Sequence, residues 1–217
     1  MAPERPAAAI LIGGRASRMG GASKSELTVG GIPILDRQLA VLRQVADPVF
    51  TVSSADGPTI AGLDHVGDRF PDCGALGGIC TAILESPRDR TFVVACDLPF
   101  LTVAFLEHLA GIDADVVIAR SERGYEPLAA LYSRRSADAI RERIERGMLE
   151  AKALADQSTP AHGMRVTEIG PETLRAYDPD GLLFVNVNTP HDYARANKLV
   201  ENVSKPSRDR IMDELGS

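Results

Sequence analysis

Arg18, Lys24 and Asp97 are the side chains with the strongest claim to chemistry. The first two stand in the run Leu11-Ile12-Gly13-Gly14-Arg15-Ala16-Ser17-Arg18-Met19-Gly20-Gly21-Ala22-Ser23-Lys24, which holds four glycines, two arginines and a lysine. It follows an apolar segment, Ala7 to Ile12, that reads as a short buried strand. Glycines let a backbone approach an anion and present its N–H groups, while the basic side chains neutralise charge. The loop therefore reads as a phosphate cradle, the alternative being a flexible surface turn. Two familiar phosphate motifs do not fit it. A Walker A loop ends in Gly-Lys-Ser/Thr, whereas Ser23 precedes Lys24 here, and the dinucleotide fingerprint needs glycines spaced differently from Gly13, Gly14 and Gly20.

Further candidates stand where strands are predicted to end. Asp97 follows the β-prone run Thr91 to Cys96 and opens the turn Asp97-Leu98-Pro99. It reads either as a turn former or as a magnesium ligand, and delivery by a buried strand favours the second, since Mg²⁺ takes one or two carboxylates plus water and phosphate oxygens. Asp68 ends the segment Val66-Gly67-Asp68; it could pair with Arg69 or contact nucleotide or metal. Asn186 and Asn188 alternate along a predicted strand end and share a side of it, with helix capping as the competing role for one of them. No Ser-His-Asp or Cys-His arrangement is suggested. An anionic phosphate needs no general base to attack phosphorus, so a glycine loop, Lys, Arg, Mg²⁺ and carboxylate suit phosphoryl-type substitution.

Alternating strand and helix signals must position these groups, which favours an α/β sandwich with a largely parallel sheet. Helices are predicted from Pro33, with Leu35, Leu39 and Leu42 inward; over Gly74 to Leu84; from a Thr102 cap to Gly111; over Ser136 to Met148; and from Pro190 to about Val200. A shorter helix is expected through Leu154. Strands are predicted over Val49 to Ser53, Thr91 to Cys96, Asp115 to Ala119, Pro127 to Tyr132, Met164 to Ile169 and Leu182 to Val187. One domain over residues 1–217 is expected, with a core of about 7–200 and a polar tail, 201–217.

Composition narrows the partners. A net charge of −6 argues against broad nucleic-acid or anionic-membrane binding, so phosphate recognition must be local. No apolar stretch approaches the roughly 20 residues of a membrane-spanning helix, and no secretory signal is visible. Cys73, Cys80 and Cys96 lack Cys-x-x-Cys spacing and read as buried or incidental thiols, while His65, His108, His162 and His191 show no ligand spacing. The expected compartment is the cytoplasm.

At these residues the chain resembles the molybdenum cofactor guanylyltransferase family, within the glycosyltransferase-A-like nucleotidyltransferases. The resemblance rests on Leu11-Ile12-Gly13-Gly14 with Arg18-Met19-Gly20-Gly21-Ala22-Ser23-Lys24, on Gly74-Ala75-Leu76-Gly77-Gly78, on Cys96-Asp97-Leu98-Pro99, on Pro127-Leu128-Ala129-Ala130-Leu131-Tyr132, and on Asn186 to Pro190. It implies a three-layer α/β/α sandwich with a mostly parallel, Rossmann-like central sheet. It also implies an Mg²⁺-dependent enzyme that transfers GMP from GTP to a molybdopterin-type cofactor and releases pyrophosphate. The rivals are a related enzyme using CTP or another phosphorylated acceptor, and a non-catalytic nucleotide-binding module.

The same resemblance implies residue roles. Leu11, Ile12, Gly13 and Gly14 would line the guanine and ribose side, Lys24 would hold the GTP phosphates, and Arg18 the departing pyrophosphate. Ser53 falls near a family nucleotide contact, Asp68 would contact the nucleotide, and Asp97 would bind Mg²⁺. Asn186 and Asn188 would face the pterin half together with Tyr125 and Glu126. Ile12 stands where the family has alanine, Ser23 where it has Asp, and Gly147 to Lys152 offers only Lys152 where an arginine-rich segment is expected. Transient contact with molybdoenzyme chaperones or apoenzymes is a further implication.

Overall fold

The computed structural model describes residues 4–13, 18–19, 22–23, 27–155 and 163–204, with 18–19, 22–23 and 201–204 described by backbone alone. In chain order the elements are β1 (Ala7–Leu11), β2 (Arg18–Met19), β3 (Ala22–Ser23), β4 (Thr28–Val29), β5 (Ile32–Pro33), α1 (Ile34–Val45), β6 (Val49–Ser53), β7 (Asp64–Gly67), α2 (Gly74–Glu85), β8 (Arg90–Ala95), α3 (Val103–Ala110), β9 (Val116–Ser121), β10 (Gly124–Tyr125), β11 (Ala129–Ser133), α4 (Ala137–Glu145), β12 (Val166–Ile169), α5 (Pro171–Leu174) and α6 (Pro190–Ser204). Short 3-10 turns cover Arg134–Ser136 and Ala151–Ala155.

An eight-stranded sheet runs in the order β10-β9-β11-β8-β1-β6-β7, with β12 beside β9. The pairs β1–β6, β1–β8, β6–β7 and β9–β12 are parallel, whereas β11 is antiparallel to both β8 and β9, and β10 to β9. The sheet is thus mostly parallel, with β10 and β11 reversed. Period-two side-chain alternation gives it two apolar faces. Ala8 and Ile10 of β1, with Phe92 and Val94 of β8, pack under Leu35 and Leu42 of α1 and Phe105 and Leu109 of α3. Ala7 and Ala9, with Val52, Val93 and Ile118, pack under Leu76, Ile79 and Ile83 of α2 and Ile140 of α4. Helices on both faces make the expected three-layer sandwich.

A third, smaller cluster sits at the end of the sandwich. Val29, Ile34, Val187 and Ala196 are buried together, with Leu27, Phe100, Tyr193 and Val200 around them. The hairpin β4–β5 turns through Gly30 and Gly31, both at positive φ, as a two-residue hairpin requires. Asn197 of α6 accepts from the Gly30 N–H at 2.9 Å, so α6 is fixed on that hairpin.

Most predicted elements are present, with two corrections. The segment Leu182 to Val187 is not a strand: its Val187 N–H donates to the Asp97 carbonyl at 3.0 Å, outside the sheet ladder. The strand expected from Pro127 begins at Ala129, because the Ala129 N–H closes a turn onto the Glu126 carbonyl at 3.2 Å.

Candidate active site

Four parallel strands end side by side. The ladder sets Leu11 opposite Val52 and Ala95, and Ser53 opposite Gly67, so Asp68, Ser53, Ile12 and Asp97 all follow strand ends on one sheet edge. The ladder continues one step past β1, through the Ile12 N–H to the Val52 carbonyl at 2.8 Å and the Cys96 N–H to the Leu11 carbonyl at 3.3 Å. Carboxyl ends of parallel strands are where open α/β sheets bind ligands. Three inter-strand steps of about 4.8 Å put the ends carrying Asp68 and Asp97 on the order of 14 Å apart, too far for one metal ion to bridge.

Leu11 is half-buried and touches α2, where a Cβ on Gly78 would lie 2.9 Å from Leu11 Cδ1. Ile12 is buried in the apolar cluster under α1 and α3, and Gly13 is exposed. Arg18 lies on the short ribbon β2–β3 opposite Ser23. The Arg18 side chain, Gly14 and Lys24 lie outside the described residues.

The turn bearing Asp97 is held from α1. Gln38 is only 1 % exposed, and its Nε2 donates to the Ala95 carbonyl at 2.6 Å and the Leu98 carbonyl at 3.1 Å. One amide thus clamps both sides of Cys96-Asp97. Among the described residues no group of three His, Cys, Asp or Glu side chains forms a metal cage. A single carboxylate, Asp97, at a strand end suits Mg²⁺, which leaves most positions to water and phosphate oxygens.

At the other end of the row, Asp68 is tied into the exit of β7. Its Oδ1 accepts from the Phe70 N–H at 2.9 Å and from the Thr81 hydroxyl at 2.8 Å. The suggested Asp68–Arg69 pair does not form; Arg69 reaches Glu85 at 2.8 Å. Ser53 is buried, and its hydroxyl donates to the Ser54 carbonyl at 3.2 Å beneath the turn closed by Gly57.

Beyond Asp97, the reversed strand β11 brings its entry turn to the same edge, with the Ala95 N–H bonded to the Leu128 carbonyl at 2.9 Å. Glu126 stands in that turn, half-buried, and takes a 2.6 Å hydrogen bond from the Ser121 hydroxyl. Burial pushes its carboxyl above its ordinary pKa, against the Ser121 hydrogen bond and the nearby cations Arg123 and Lys152. Tyr125 donates from its hydroxyl to Glu168 Oε2 at 2.7 Å. Asn186 is exposed, Asn188 is half-buried, and the fully buried Val187 between them faces the third cluster. Both amides stand in a loop instead of a strand. At the N-terminus of α6, Thr189 and Asp192 form a reciprocal cap, with the Thr189 N–H donating to Asp192 at 3.0 Å and the Asp192 N–H to Thr189 Oγ1 at 3.1 Å.

Several residues here were not found from the sequence. Arg123 donates from its guanidinium to the Phe184 carbonyl, tying the β9–β10 hairpin to the loop of Asn186 and Asn188. Lys152 donates to the Arg123 carbonyl at 3.0 Å, so the cation expected in this half stands beside Glu126. Gln38 and Thr81 had one available signal: each is polar on a helix face that is otherwise apolar.

The chain matches known proteins over most of its length. The family described as the MobA-like NTP transferase domain matches residues 8–161. A protein of Desulfosudis oleivorans named molybdenum cofactor guanylyltransferase is 31% identical over 202 residues, covering 88% of this chain and 94% of that protein. A probable molybdenum cofactor guanylyltransferase of Methanosarcina mazei is 34% identical over 200 residues, covering 85% of this chain and 87% of the relative. Among solved structures, molybdopterin-guanine dinucleotide biosynthesis protein A from Archaeoglobus fulgidus superposes with a TM-score of 0.70 at 24% identity. The alignment covers 90% of this chain and 98% of that one, and it bears on the fold alone. The family model and the sequence relatives agree: this chain belongs to the MobA-like NTP transferase family.

Proposed function

We propose that this nucleotidyltransferase moves GMP from GTP to a molybdopterin-type cofactor and releases pyrophosphate. The observation that carries the reading is the single sheet edge on which Leu11, Ile12, Ser53, Asp68 and Asp97 meet the Glu126 turn and the Asn186–Asn188 loop. In this reaction an oxygen of the cofactor's phosphate attacks the α-phosphorus of GTP. The bond from that phosphorus to the bridging oxygen of the β-phosphate breaks, and pyrophosphate carries the electron pair away. The attacking phosphate is already anionic, so the protein must position and neutralise without removing a proton.

Leu11, Ile12, Gly13 and Gly14 line the base and ribose side, with Ser53 and Asp68 further along the edge. Lys24 holds the GTP phosphates and Arg18 the departing pyrophosphate. Asp97 would hold Mg²⁺, which supplies neutralisation of phosphate charge when bound. Gln38 keeps the Asp97 turn from drifting. Asn186, Asn188 and Glu126 hold the acceptor, beside the Arg123–Lys152 pair. One nucleotidyltransferase domain acting in the cytoplasm, with passing contact to molybdoenzyme chaperones or apoenzymes, accords with this role. No helix among the described residues is long and apolar enough to cross a membrane.

The test is pyrophosphate release with each nucleoside triphosphate, with and without molybdopterin cofactor and Mg²⁺. Release is expected with GTP only when both are present. Release with CTP alone would contradict the base assignment, and release without cofactor would contradict the acceptor.

A further inference from the structure

Thr81 is fully buried in α2, among Ile79, Cys80 and Ile83, where a valine would fill the same space. Its hydroxyl is used entirely on the turn that leaves β7. It donates to Asp68 Oδ1 at 2.8 Å and accepts the Arg69 N–H at 3.0 Å, while the Phe70 N–H takes the same Oδ1 at 2.9 Å. The helix is pressed onto this turn. A Cβ on Gly77, one helical turn before Thr81, would stand 2.5 Å from the Phe70 carbonyl oxygen. Only glycine there lets the helix come close enough for the hydroxyl to reach the carboxylate.

The arrangement saturates one oxygen of Asp68 and leaves Oδ2 without a hydrogen-bond partner among the described residues. The neighbouring cation does not claim it, because Arg69 is drawn to Glu85. Nor can a metal on Asp97 reach it, three strands away along the edge. An ionised carboxylate oxygen so placed accepts hydrogen bonds. We propose that Thr81 is a positioning residue that fixes the Asp68 carboxylate so that Oδ2 accepts an N–H or O–H of the bound nucleoside.

This rests on the guanylyltransferase reading, and the experiment separates the two. GTP affinity with Mg²⁺ is measured by calorimetry for wild type, Thr81→Val and Thr81→Ser, alone and with Asp68→Asn. The KM for molybdopterin cofactor and the thermal midpoint are measured alongside. Thr81→Val is expected to weaken GTP about five- to tenfold, the scale of one ordinary intramolecular hydrogen bond. Thr81→Ser should stay within about twofold of wild type, the acceptor KM should not move, and the valine effect should vanish on Asp68→Asn. Thr81→Cys, close in size with a weak S–H donor, carries the comparison if the valine variant does not fold. Wild-type GTP affinity in Thr81→Val, equal losses in the serine and valine variants, or a valine effect that persists on Asp68→Asn overturns the proposal. Wild-type protein that binds GTP yet transfers no GMP overturns the guanylyltransferase reading and leaves the role of Thr81 standing.

Discussion

The nucleotide half and the acceptor half of this edge are built differently. Asp68, Ser53, Ile12 and Asp97 follow consecutive parallel strands, so the main-chain ladder sets their spacing. Tyr125 and Glu126 instead sit on the short antiparallel β9–β10 hairpin, with the Glu126 N–H bonded to the Ala119 carbonyl at 3.0 Å, and the Asn186–Asn188 loop lies outside the ladder. Side-chain ties run from Ser121 to Glu126, Arg123 to Phe184, Lys152 to Arg123 and Tyr125 to Glu168. A ladder fixes many groups cooperatively, whereas each tie can be cut by one substitution. The nucleotide half is thus the rigid reference, and the acceptor half is the part that single side chains can adjust. Asp97 stands at the border, with its turn clamped by Gln38 and its carbonyl bonded to Val187.

Substitution at the border should hit hardest. Asp97→Asn keeps the shape and removes the charge, and turnover in a pyrophosphate-release assay should fall by about 10²–10³-fold or more. Unchanged Mg²⁺-dependent turnover would remove Asp97 from the metal role. Next in size is Gly77→Ala, whose added Cβ meets a backbone oxygen at 2.5 Å and cannot be absorbed by a side-chain rotation. Overpacking of this kind costs about 1–3 kcal/mol, to be read from the denaturant midpoint. The nucleotide half should register it as weaker GTP binding, with acceptor affinity spared.

Arg123→Ala cuts a tie on the other side. The KM for the cofactor should rise severalfold while GTP affinity stays at the wild-type value, as steady-state kinetics and calorimetry would show. If both change together, the halves are not separately built. The smallest effect concerns Glu126, whose burial raises its carboxyl pKa in the folded state. The fold binds that proton more tightly than the unfolded chain does. Stability is therefore greatest below the ordinary glutamate value and declines as pH rises through the raised one. Glu126→Gln cannot ionise, so its thermal midpoint should gain on wild type as pH rises above the ordinary glutamate value. A constant difference across that rise would show that Glu126 does not titrate as the fold dictates.

The same contrast explains what was legible in the sequence. The strands that end at Ser53 and near Asp97, the helix faces of Leu35, Leu42, Leu76 and Ile79, and the Thr102 cap are local patterns, and each is present. The segment 182–187 reads as a strand because its apolar run is β-prone, but Leu183, Phe184 and Val185 are buried in succession within a loop. Val185 and Val187 are buried and Asn186 is exposed, yet the partner of Val187 is a turn carbonyl. The reversal of β11 has no local signature, since sheet order is decided by tertiary packing. Gln38, Thr81 and Arg123 were missed because their partners lie far along the chain. Only a polar residue on an apolar helix face hinted at the first two.

The most direct test follows labelled phosphorus through the reaction. With GTP labelled at the α-position, molybdopterin cofactor and Mg²⁺, the account predicts label in the guanine dinucleotide product and unlabelled pyrophosphate in equal amount. Label transferred from the γ-position to the acceptor, or no product despite tight GTP binding, would contradict nucleotidyl transfer at this edge.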